Sequence, residues 1–359
     1  MGVMTATLPG RQPRPRSGDR VVLVTWPDYP GDASPQAARL TALGLTLRRA
    51  PRTHDRSEDE LVELLDGCVA GIVSTDPFTR AVFEATPGLR LLSRVGVGTD
   101  SIDLEAAAEH GVGVTVARGA NEEAVADHTI GLILALLRRI PELDRAVRDG
   151  RWLRTGEWAG RDLHGKTVGL LGMGAISQLV ARRLHGFGVD IVGYDPVAPP
   201  PPGVRPARMV DVVTSADVLS LHLPLTQQTR NLVDAALLAR MKPGAVLVNT
   251  SRGGIVDEQA LADAIRAGRL RGAAIDVFSE EPPRTSPLLP LWGSTVLTPH
   301  IGGLSKEAID QMVEHATGAV VAALTGHEPP DLVNRPVRAV WEESPNGPVG
   351  AAVYREELS

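Results

Sequence analysis

The sequence predicts an α/β protein made of two doubly wound parallel sheets. Short apolar runs alternate with amphipathic segments of helical length along most of the chain, a pattern typical of parallel strands joined by crossover helices. A glycine-rich corner, Gly172-Met173-Gly174, stands where one buried run gives way to a helix. A length of 359 residues exceeds one ordinary domain and suits two.

The first predicted domain covers residues 19–118, with 306–335 added from the end of the chain. Residues 1–18 are rich in proline and arginine, and we expect a disordered tail there. Buried runs predict strands at Val21–Val24, Leu45–Arg49, Gly71–Ser74, Leu89–Val95 and Val112–Ala117. Intervening segments predict helices at Pro35–Leu43, Ser57–Leu65, Thr79–Ala85 and Leu104–Glu109.

The second predicted domain covers residues 119–305 and opens with helical segments over Glu122–Arg148, interrupted at Pro141. Buried runs predict strands at Val168–Leu171, Val189–Tyr194, Val218–Leu221, Ala245–Asn249, Ala273–Asp276 and Thr295–Leu297. Helices are predicted at Leu179–Leu184, Glu258–Ala267 and Lys306–Leu324, and the last of these could pack back on the first domain. Residues 336–359 are expected to form a loose tail.

The glycine corner has the features of a dinucleotide site. Gly172 would allow the tight turn, and Gly174 would let backbone N–H groups approach a pyrophosphate at a helix N-terminus. Ser177 stands where a third glycine is usual, and a small residue there would let helix and strand pack closely. Such short glycine patterns also mark ordinary turns, so the corner needs support from residues further along the chain.

Asp195 supplies that support, because it ends the next predicted strand. A carboxylate at that place can accept both ribose hydroxyls of NAD and would repel the 2′-phosphate of NADP. The sequence therefore predicts NAD as the cofactor and disfavours NADP. The alternative is a structural Asp that caps a turn before Pro196.

Bulk properties exclude several classes of protein. A net charge of −6 gives no support for nucleic-acid binding. The single cysteine, Cys68, excludes an intramolecular disulfide and fits a reducing cytoplasm. No apolar run approaches the length of a membrane span, and no metal-ligand pattern stands out.

Three successive strands of the second domain are each followed by a residue that could take part in catalysis. Arg252, Glu281 (or its neighbour Glu280) and His300 should meet at one edge of the sheet, because the carboxyl ends of parallel strands lie together. An arginine can hold a carboxylate and polarise a carbonyl, a histidine can pass a proton, and an acid can support its imidazolium. Each residue also has a structural alternative: Arg252 as a salt-bridge partner, His300 as a polar cap and Glu281 as a solvated charge. Spacing does not choose between the two glutamates.

The motifs together resemble the D-isomer-specific 2-hydroxyacid dehydrogenase family. They are Leu170–Ile176, Val248–Asp257, Asp276-Val277-Phe278 with Glu281-Pro282, and Pro299–Gly303. Over about residues 20–335 the chain is most similar to the D-3-phosphoglycerate dehydrogenase branch, though too short for its regulatory domains. The resemblance implies two Rossmann-like domains, substrate-binding and NAD-binding, an interdomain active-site cleft, and a homodimer joined through the NAD-binding domains.

The resemblance also implies site residues, and it chooses Glu281 over Glu280 as the acid beside Arg252 and His300. The implied cofactor contacts are Gly172, Gly174, Ala175, Ile176, Asp195, His222, Thr250, Ser251, Asp276, Gly302 and Gly303. The implied substrate contacts are Arg94, Gly96, Val97, Gly98, Arg138 and Arg252.

Arg94 and Arg138 would together favour a substrate with a second anionic group, such as phosphate, phosphonate or carboxylate. Against this, the branch commonly has an arginine where Ser74 stands, and Arg138 could simply cap a helix. We expect an NAD-dependent enzyme that interconverts a 2-keto acid and a D-2-hydroxy acid. The alternatives are a glyoxylate or hydroxypyruvate reductase, a dinucleotide-sensing regulatory protein of the same fold, and a relative acting on formate or phosphite.

Overall fold

A computed structural model describes residues 20–52 and 55–337, and these form two compact units. One unit holds the described residues up to Ala120 together with those from Ile309 onward, and the other is Asn121–Ala308. The tail predicted for residues 1–18 and all but the first two residues of the tail predicted for 336–359 lie outside the described residues. None of the described helices is long and apolar enough to cross a membrane.

Strands and α-helices mostly alternate along the described chain. The strands are β1 Arg20–Val24, β2 Leu45–Arg49, β3 Cys68–Val73, β4 Leu91–Arg94, β5 Gly113–Val116, β6 Thr167–Leu171, β7 Asp190–Tyr194, β8 Arg205–Pro206, β9 Val218–Leu221, β10 Val246–Asn249, β11 Gly272–Ile275 and β12 Thr295–Leu297. The helices are α1 Pro35–Ala42, α2 Glu58–Leu65, α3 Arg80–Ala85, α4 Leu104–Glu109, α5 Glu122–Leu137, α6 Ile140–Arg148, α7 Ala175–Leu184, α8 Met209–Ser215, α9 Ala235–Leu238, α10 Glu258–Arg266 and α11 Lys306–Leu324.

The first unit is built on a five-stranded sheet of order β2-β1-β3-β4-β5, and every pairing is parallel. Helix α11 returns to this unit, where Thr317 shares a 2.9 Å hydrogen bond with the Tyr29 hydroxyl and Glu314 pairs with Arg39 of α1. The second unit has a seven-stranded sheet of order β12-β11-β10-β9-β6-β7-β8, also parallel throughout. The expected fold class is confirmed.

Strand β6 lies at the point where the strand order of the second sheet reverses. The chain runs outward from β6 to β7 and β8, and then returns to β9 on the other side of β6. In open parallel sheets, ligands bind beyond the carboxyl ends of the strands at such a reversal. The glycine corner follows β6 directly and so occupies this position.

Alternating residues of the strands pack into two different cores, one on each face of the second sheet. In β10, Val246 and Val248 belong to one buried cluster and Leu247 to the other. The same division separates Leu170 from Leu171 in β6. Both faces are covered, which explains why these strands read as continuous apolar runs.

The break between the two helices that follow the first sheet is displaced from its predicted place at Pro141. Helix α5 ends at Leu137, and Arg139 adopts a left-handed conformation with φ of 56° before α6 begins. Pro141 lies in the first turn of α6, where its missing N–H costs nothing. The proline therefore starts a helix instead of interrupting one.

Candidate active site

The turn after β6 is locked in place by its neighbours. Gly172 has φ of +97°, and its N–H donates to the carbonyl of Tyr194 at 2.8 Å. A Cβ atom at this position would lie 2.2 Å from the carbonyl oxygen of His222. Both the backbone conformation and the close approach of the chain after β9 therefore require glycine.

The N-terminus of α7 is open toward a ligand. Gly174 is the N-cap, nothing lies within 4 Å of the place where its Cβ would be, and Ala175 and Ile176 form the first turn. Ser177 is fully buried, and its hydroxyl donates to the carbonyl of Gly174 at 2.9 Å. The serine thus replaces the usual glycine without blocking the free N–H groups of the first turn, which attract anions.

Asp195, directly after β7, is held by backbone N–H groups. Met173 donates to Oδ2 at 2.8 Å, and Val197 and Ala198 donate to Oδ1 at 2.8 Å each. Burial pulls the pKa of this carboxyl upward, but hydrogen bonds from Ala198, Met173 and Val197 hold the pKa below its ordinary value. The group therefore stays ionised beside the glycine corner.

His222, directly after β9, is kept neutral by its surroundings. Burial lowers the pKa of its imidazole to about 4, and Nε2 shares a hydrogen bond of 2.9 Å with Ser220 Oγ. The backbone N–H of His222 donates to Leu171 at 2.7 Å. The residue thus brings its own carbonyl group against Gly172.

Asn249, the last residue of β10, organises the loop that carries Arg252. Its Oδ1 accepts from the N–H of Ser251 at 3.0 Å and from the Ser251 hydroxyl at 2.8 Å, while Nδ2 donates to the Arg252 carbonyl at 2.8 Å. Thr250 is buried, and its hydroxyl lies 2.8 Å from that of Thr129. Arg252 is half-buried, and Nη1 donates to the Ser251 carbonyl at 2.7 Å.

The loops after β10 and β11 touch backbone to backbone. A Cβ atom on Gly253 would lie 1.9 Å from the carbonyl carbon of Phe278 and 2.5 Å from the nitrogen of Ser279. Only glycine allows this approach. The contact brings the chain next to Arg252 against the start of the loop that carries Glu281.

Glu281 and His300 form a hydrogen-bonded pair at the carboxyl edge of the sheet. Glu281 Oε2 lies 2.7 Å from His300 Nδ1, and Oε1 accepts from the N–H of Phe278 at 3.0 Å. Glu280 instead accepts a long hydrogen bond of 3.4 Å from Thr285. His300 has φ of +54°, and its N–H donates to the carbonyl of Asp276 at 2.8 Å. Both side chains of the pair are partly exposed, at 46% and 39%.

Asp276, after β11, ties down the loop that carries His300. Its carboxylate accepts from Thr298 Oγ1 at 2.6 Å, from the N–H of Ile301 at 3.0 Å and from the N–H of Gly302 at 2.9 Å. Burial raises the pKa of Asp276, but bonds from His128, Thr298, Gly302 and Ile301 outweigh it and hold the pKa below its ordinary value. A Cβ atom on Gly302 would lie 2.9 Å from this carboxylate.

Gly303, the other glycine of that loop, packs against Asn121, since a Cβ atom there would lie 2.7 Å from Asn121 Nδ2.

Three further positioning residues were absent from the sequence-based set. His128 lies 3.1 Å from Thr298 Oγ1, Asn249 holds the Arg252 loop, and Glu258 accepts from the N–H of Ser279 at 2.7 Å. A polar residue within the apolar helix α5 was a signal for His128, whereas nothing local marks Glu258.

The first unit holds the predicted substrate loop at the end of β4. Gly96 has φ of +133°, and a Cβ atom there would lie 3.0 Å from Arg94 Nη1. The Arg94 guanidinium donates to the carbonyl of Val95. Val97 and Gly98 follow, both half-buried.

Arg138 lies in the second unit and is exposed. It is the C-cap of α5, and its N–H donates to Leu134 at 2.9 Å. Arg139 is engaged differently: it forms a two-pronged pair with Glu142 and stacks 4.6 Å from the centre of the Trp158 ring. The capping alternative thus describes the backbone of Arg138, and the residue is exposed.

Comparison with known proteins places the chain in one family. Residues 130–302 match the sequence model described as "D-isomer specific 2-hydroxyacid dehydrogenase, NAD binding domain". A D-3-phosphoglycerate dehydrogenase of Mycobacterium tuberculosis is 42% identical over 282 residues, covering 77% of this chain and 50% of that protein. A glyoxylate reductase of Korarchaeum cryptofilum is 39% identical over 290 residues, covering 78% of this chain and 87% of that protein. The chain thus spans about half the length of the first of these relatives.

Solved structures agree with this assignment. The TT0316 protein of Thermus thermophilus superposes with a TM-score of 0.81 at 38% identity, covering 87% of this chain and 99% of that one. An acyclic imino acid reductase in complex with NADPH and D-Arg superposes with a TM-score of 0.78 at 25% identity, covering 87% and 99%. The second structure shows that this fold also accommodates a 2′-phosphorylated cofactor.

Proposed function

The chain belongs to the D-isomer specific 2-hydroxyacid dehydrogenase family, and from this premise we propose that it is an NAD-dependent oxidoreductase that interconverts a 2-keto acid and a D-2-hydroxy acid. The observation that carries the proposal is the Glu281–His300 pair at 2.7 Å. It lies at the same sheet edge as the glycine corner and as the loop that carries Arg252.

The residues around β6 and β7 fit a bound dinucleotide. The open N-terminus of α7 at Gly174 suits a pyrophosphate, and the ionised Asp195 suits the ribose hydroxyls. When bound, the nicotinamide supplies or accepts the hydride. We propose NAD over NADP because Asp195 would face a 2′-phosphate with a like charge.

The Glu281–His300 pair provides the proton. With Nδ1 directed at the carboxylate of Glu281, the imidazole presents Nε2 to the substrate. In reduction of a keto acid, Nε2 gives its proton to the carbonyl oxygen, and in oxidation it takes the proton of the hydroxyl group. Glu281 stabilises the imidazolium form and fixes the ring orientation.

Arg252 and the loop after β4 are the proposed substrate contacts. The Arg252 guanidinium can bind the substrate carboxylate in a two-pronged manner and polarise the neighbouring carbonyl. We further propose that Asn249 is a positioning residue for Arg252, because its side chain bonds both ends of the Ser251–Arg252 segment. Arg94 and residues 96–98, in the loop after β4, are further proposed substrate contacts.

Two substrate classes remain candidates. Arg94 favours a substrate with a second anionic group, which agrees with the similarity to D-3-phosphoglycerate dehydrogenases. Ser74, in place of the arginine expected there, favours a small singly charged acid, which agrees with the similarity to glyoxylate reductases. The alternative that is not an enzyme is a dinucleotide-sensing regulatory protein.

A panel of 2-keto acids assayed by NADH absorbance separates these candidates. The panel contains 3-phosphohydroxypyruvate, phosphonopyruvate, 2-oxoglutarate, hydroxypyruvate and glyoxylate, with NADH and NADPH compared for the best substrate. We expect turnover of at least one member and a higher kcat/KM with NADH. Turnover of none would contradict the enzyme and support a sensor, and a preference for NADPH would contradict the role of Asp195.

We also propose that the chain forms a homodimer through its second unit. Large apolar side chains there are exposed, including Trp152 and Trp292 at 78% each, as well as Val147 at 56% and Ile140 at 53%. Ile140 and Val147 lie on α6, and Trp292 lies beside this helix, because the Arg145 guanidinium of α6 is 4.9 Å from the centre of its ring. Neighbouring exposed apolar groups mark an interaction surface. A sedimentation mass equal to one chain would contradict this proposal.

A further inference from the structure

The carboxyl edge of the first sheet carries guanidinium groups from two different strands. Arg94 ends β4, and Arg52 follows β2. The chain after β2 runs beside the end of β1, since the N–H of Ala50 donates to Val24 at 2.9 Å and the N–H of Arg52 donates to Thr25 at 2.9 Å. The backbone of Arg52 is thereby fixed at the edge where parallel sheets bind ligands.

The Arg52 side chain reaches across β1 to the segment that follows β3. Its Nη1 donates to the hydroxyl of Thr75, and Nη2 lies 3.0 Å from Asp55 Oδ1. Its Nε is enclosed and has no hydrogen-bond partner among residues 20–52 and 55–337. A buried guanidinium donor left unbonded is costly, so this N–H calls for an acceptor.

The backbone of Arg94 and the Thr75 hydroxyl that binds Arg52 lie near the carboxyl ends of the neighbouring strands β4 and β3. Arg94 is the register partner of Val73, the last residue of β3, and the Thr75 that binds Arg52 comes two residues later. Ser74 lies between them with a short, buried side chain, so no large group occupies that position. Gly96 likewise presents no side chain toward the Arg94 guanidinium.

The acidic groups around Arg52 do not neutralise its charge strongly, so the guanidinium can still bind an anion. Asp76 is buried but paired with the equally buried Arg56 and bonded by the Thr25 hydroxyl at 2.5 Å. Arg56 also donates to the Ala50 carbonyl at 3.0 Å, which stiffens the segment leading to Arg52. Asp55 is 71% exposed, and an exposed ion pair of this kind contributes only about 0–1 kcal/mol and is easily exchanged.

We infer that Arg52 is a specificity-determining residue that, together with Arg94, binds a second anionic group on the substrate. This inference rests on the proposed function. The Nε and Nη2 groups of a guanidinium form a fork that takes up two oxygens of a phosphate, phosphonate or carboxylate, and such an anion would replace Asp55 and satisfy Nε. Arg52, which follows β2, thus supplies the guanidinium that related enzymes commonly carry after β3, where this chain has Ser74.

The test compares one substrate with and without its phosphate. Steady-state kcat/KM is measured with NADH for 3-phosphohydroxypyruvate and for hydroxypyruvate, in the wild type and in Arg52→Gln, Arg52→Lys and Arg90→Gln. Arg90 is the matched control, because it is exposed, precedes β4 at the opposite end of the strand and bonds the carbonyls of Pro87 and Leu89. Thermal unfolding of each variant checks that the fold is retained.

We expect Arg52→Gln to lower kcat/KM for the phosphorylated substrate by about 10- to 100-fold, as for loss of a charge-assisted hydrogen bond. The value for hydroxypyruvate should fall far less, Arg52→Lys should restore part of the loss, and Arg90→Gln should change neither. An equal fall with both substrates, no fall, or a wild type that reduces only hydroxypyruvate would overturn the inference while leaving the proposed function standing. A wild type that reduces neither would also overturn the inference, and it would overturn the proposed function only if the other 2-keto acids of the panel were not reduced either.

Discussion

The Asp195 carboxylate caps a turn and keeps acceptor capacity for the ribose contact that we propose. Its oxygens accept three backbone N–H groups, and a carboxylate offers about four acceptor sites, so capacity remains for a ribose hydroxyl. The bond from Met173 also fixes the glycine corner relative to the end of β7. The turn-capping interpretation and the cofactor interpretation of Asp195 are therefore compatible.

His300 has a backbone conformation that few side chains adopt. A residue other than glycine at φ of +54° costs on the order of 1 kcal/mol or more, and such conformations persist where the surroundings impose them. Here the N–H bond to Asp276 and the loop bonds to its carboxylate hold the conformation. The strain is placed at the residue that we propose moves the proton.

His222 makes the stability of the second unit depend on pH. Its native pKa of about 4 lies below the ordinary value of 6.5, so the unfolded chain binds the proton first as the pH falls. The stabilising contribution is thus complete above pH 6.5 and is lost as the pH falls toward 4. The thermal unfolding midpoint of the wild type should fall between pH 7.5 and pH 4.5. We expect His222→Gln to make this fall smaller, by an amount equivalent to about 1–3 kcal/mol in the free energy of unfolding. Parallel pH profiles for the variant and the wild type would contradict the lowered pKa of the His222 imidazole.

At the scale of elements, the site depends on how closely the loops after β10 and β11 approach each other. Glu258, the first residue of α10, reinforces this contact by accepting from Ser279 at 2.7 Å and by bonding the hydroxyl of Ser286. The loop that carries Glu281 is therefore held by the helix that follows the loop of Arg252. Helix and loop are far apart in sequence, and only the parallel sheet order makes them neighbours.

Gly253→Ala tests this loop contact, with Gly254→Ala as the matched control. A Cβ atom at Gly253 would overlap the backbone of Phe278, whereas one at Gly254 would meet the Leu225 side chain at an ordinary 3.4 Å. We expect Gly253→Ala to cost at least about 1–3 kcal/mol, to lower the unfolding midpoint by several degrees and to reduce kcat. Gly254→Ala should leave the midpoint and kcat close to the wild-type values. Equal effects of the two substitutions would show that the backbone contact is unimportant.

At the scale of the whole molecule, the strand pattern was predictable because both sheets are buried and parallel. Such strands read as continuous apolar runs, and the residues after them must share an edge, which is why Arg252, Glu281 and His300 could be grouped in advance. The two-residue strand β8, with both residues exposed, has no such signal. Residue pattern alone left Glu281 and Glu280 undecided, because the choice depends on how the loop after β11 folds.

Long-range side-chain bonds account for the remainder of the site. Arg52 donates to Thr75, 23 positions later, and Glu258 accepts from Ser279, 21 positions later. No short pattern records such pairs, since they arise from strand order and loop conformation together. Asn249 was within reach of sequence reasoning, because it ends a buried strand immediately before the candidate arginine.

We propose that hydride transfer takes place at a dinucleotide bound to the second unit and that His300 moves the proton. The most direct measurement is kcat at pH 7 for NADH-dependent reduction of the best 2-keto acid by the wild type, His300→Gln and the control Glu280→Gln, with NADH binding confirmed for each. We predict that His300→Gln lowers kcat by about 10²- to 10⁴-fold while Glu280→Gln stays near the wild type. Full turnover by His300→Gln would contradict the proposed role of this histidine.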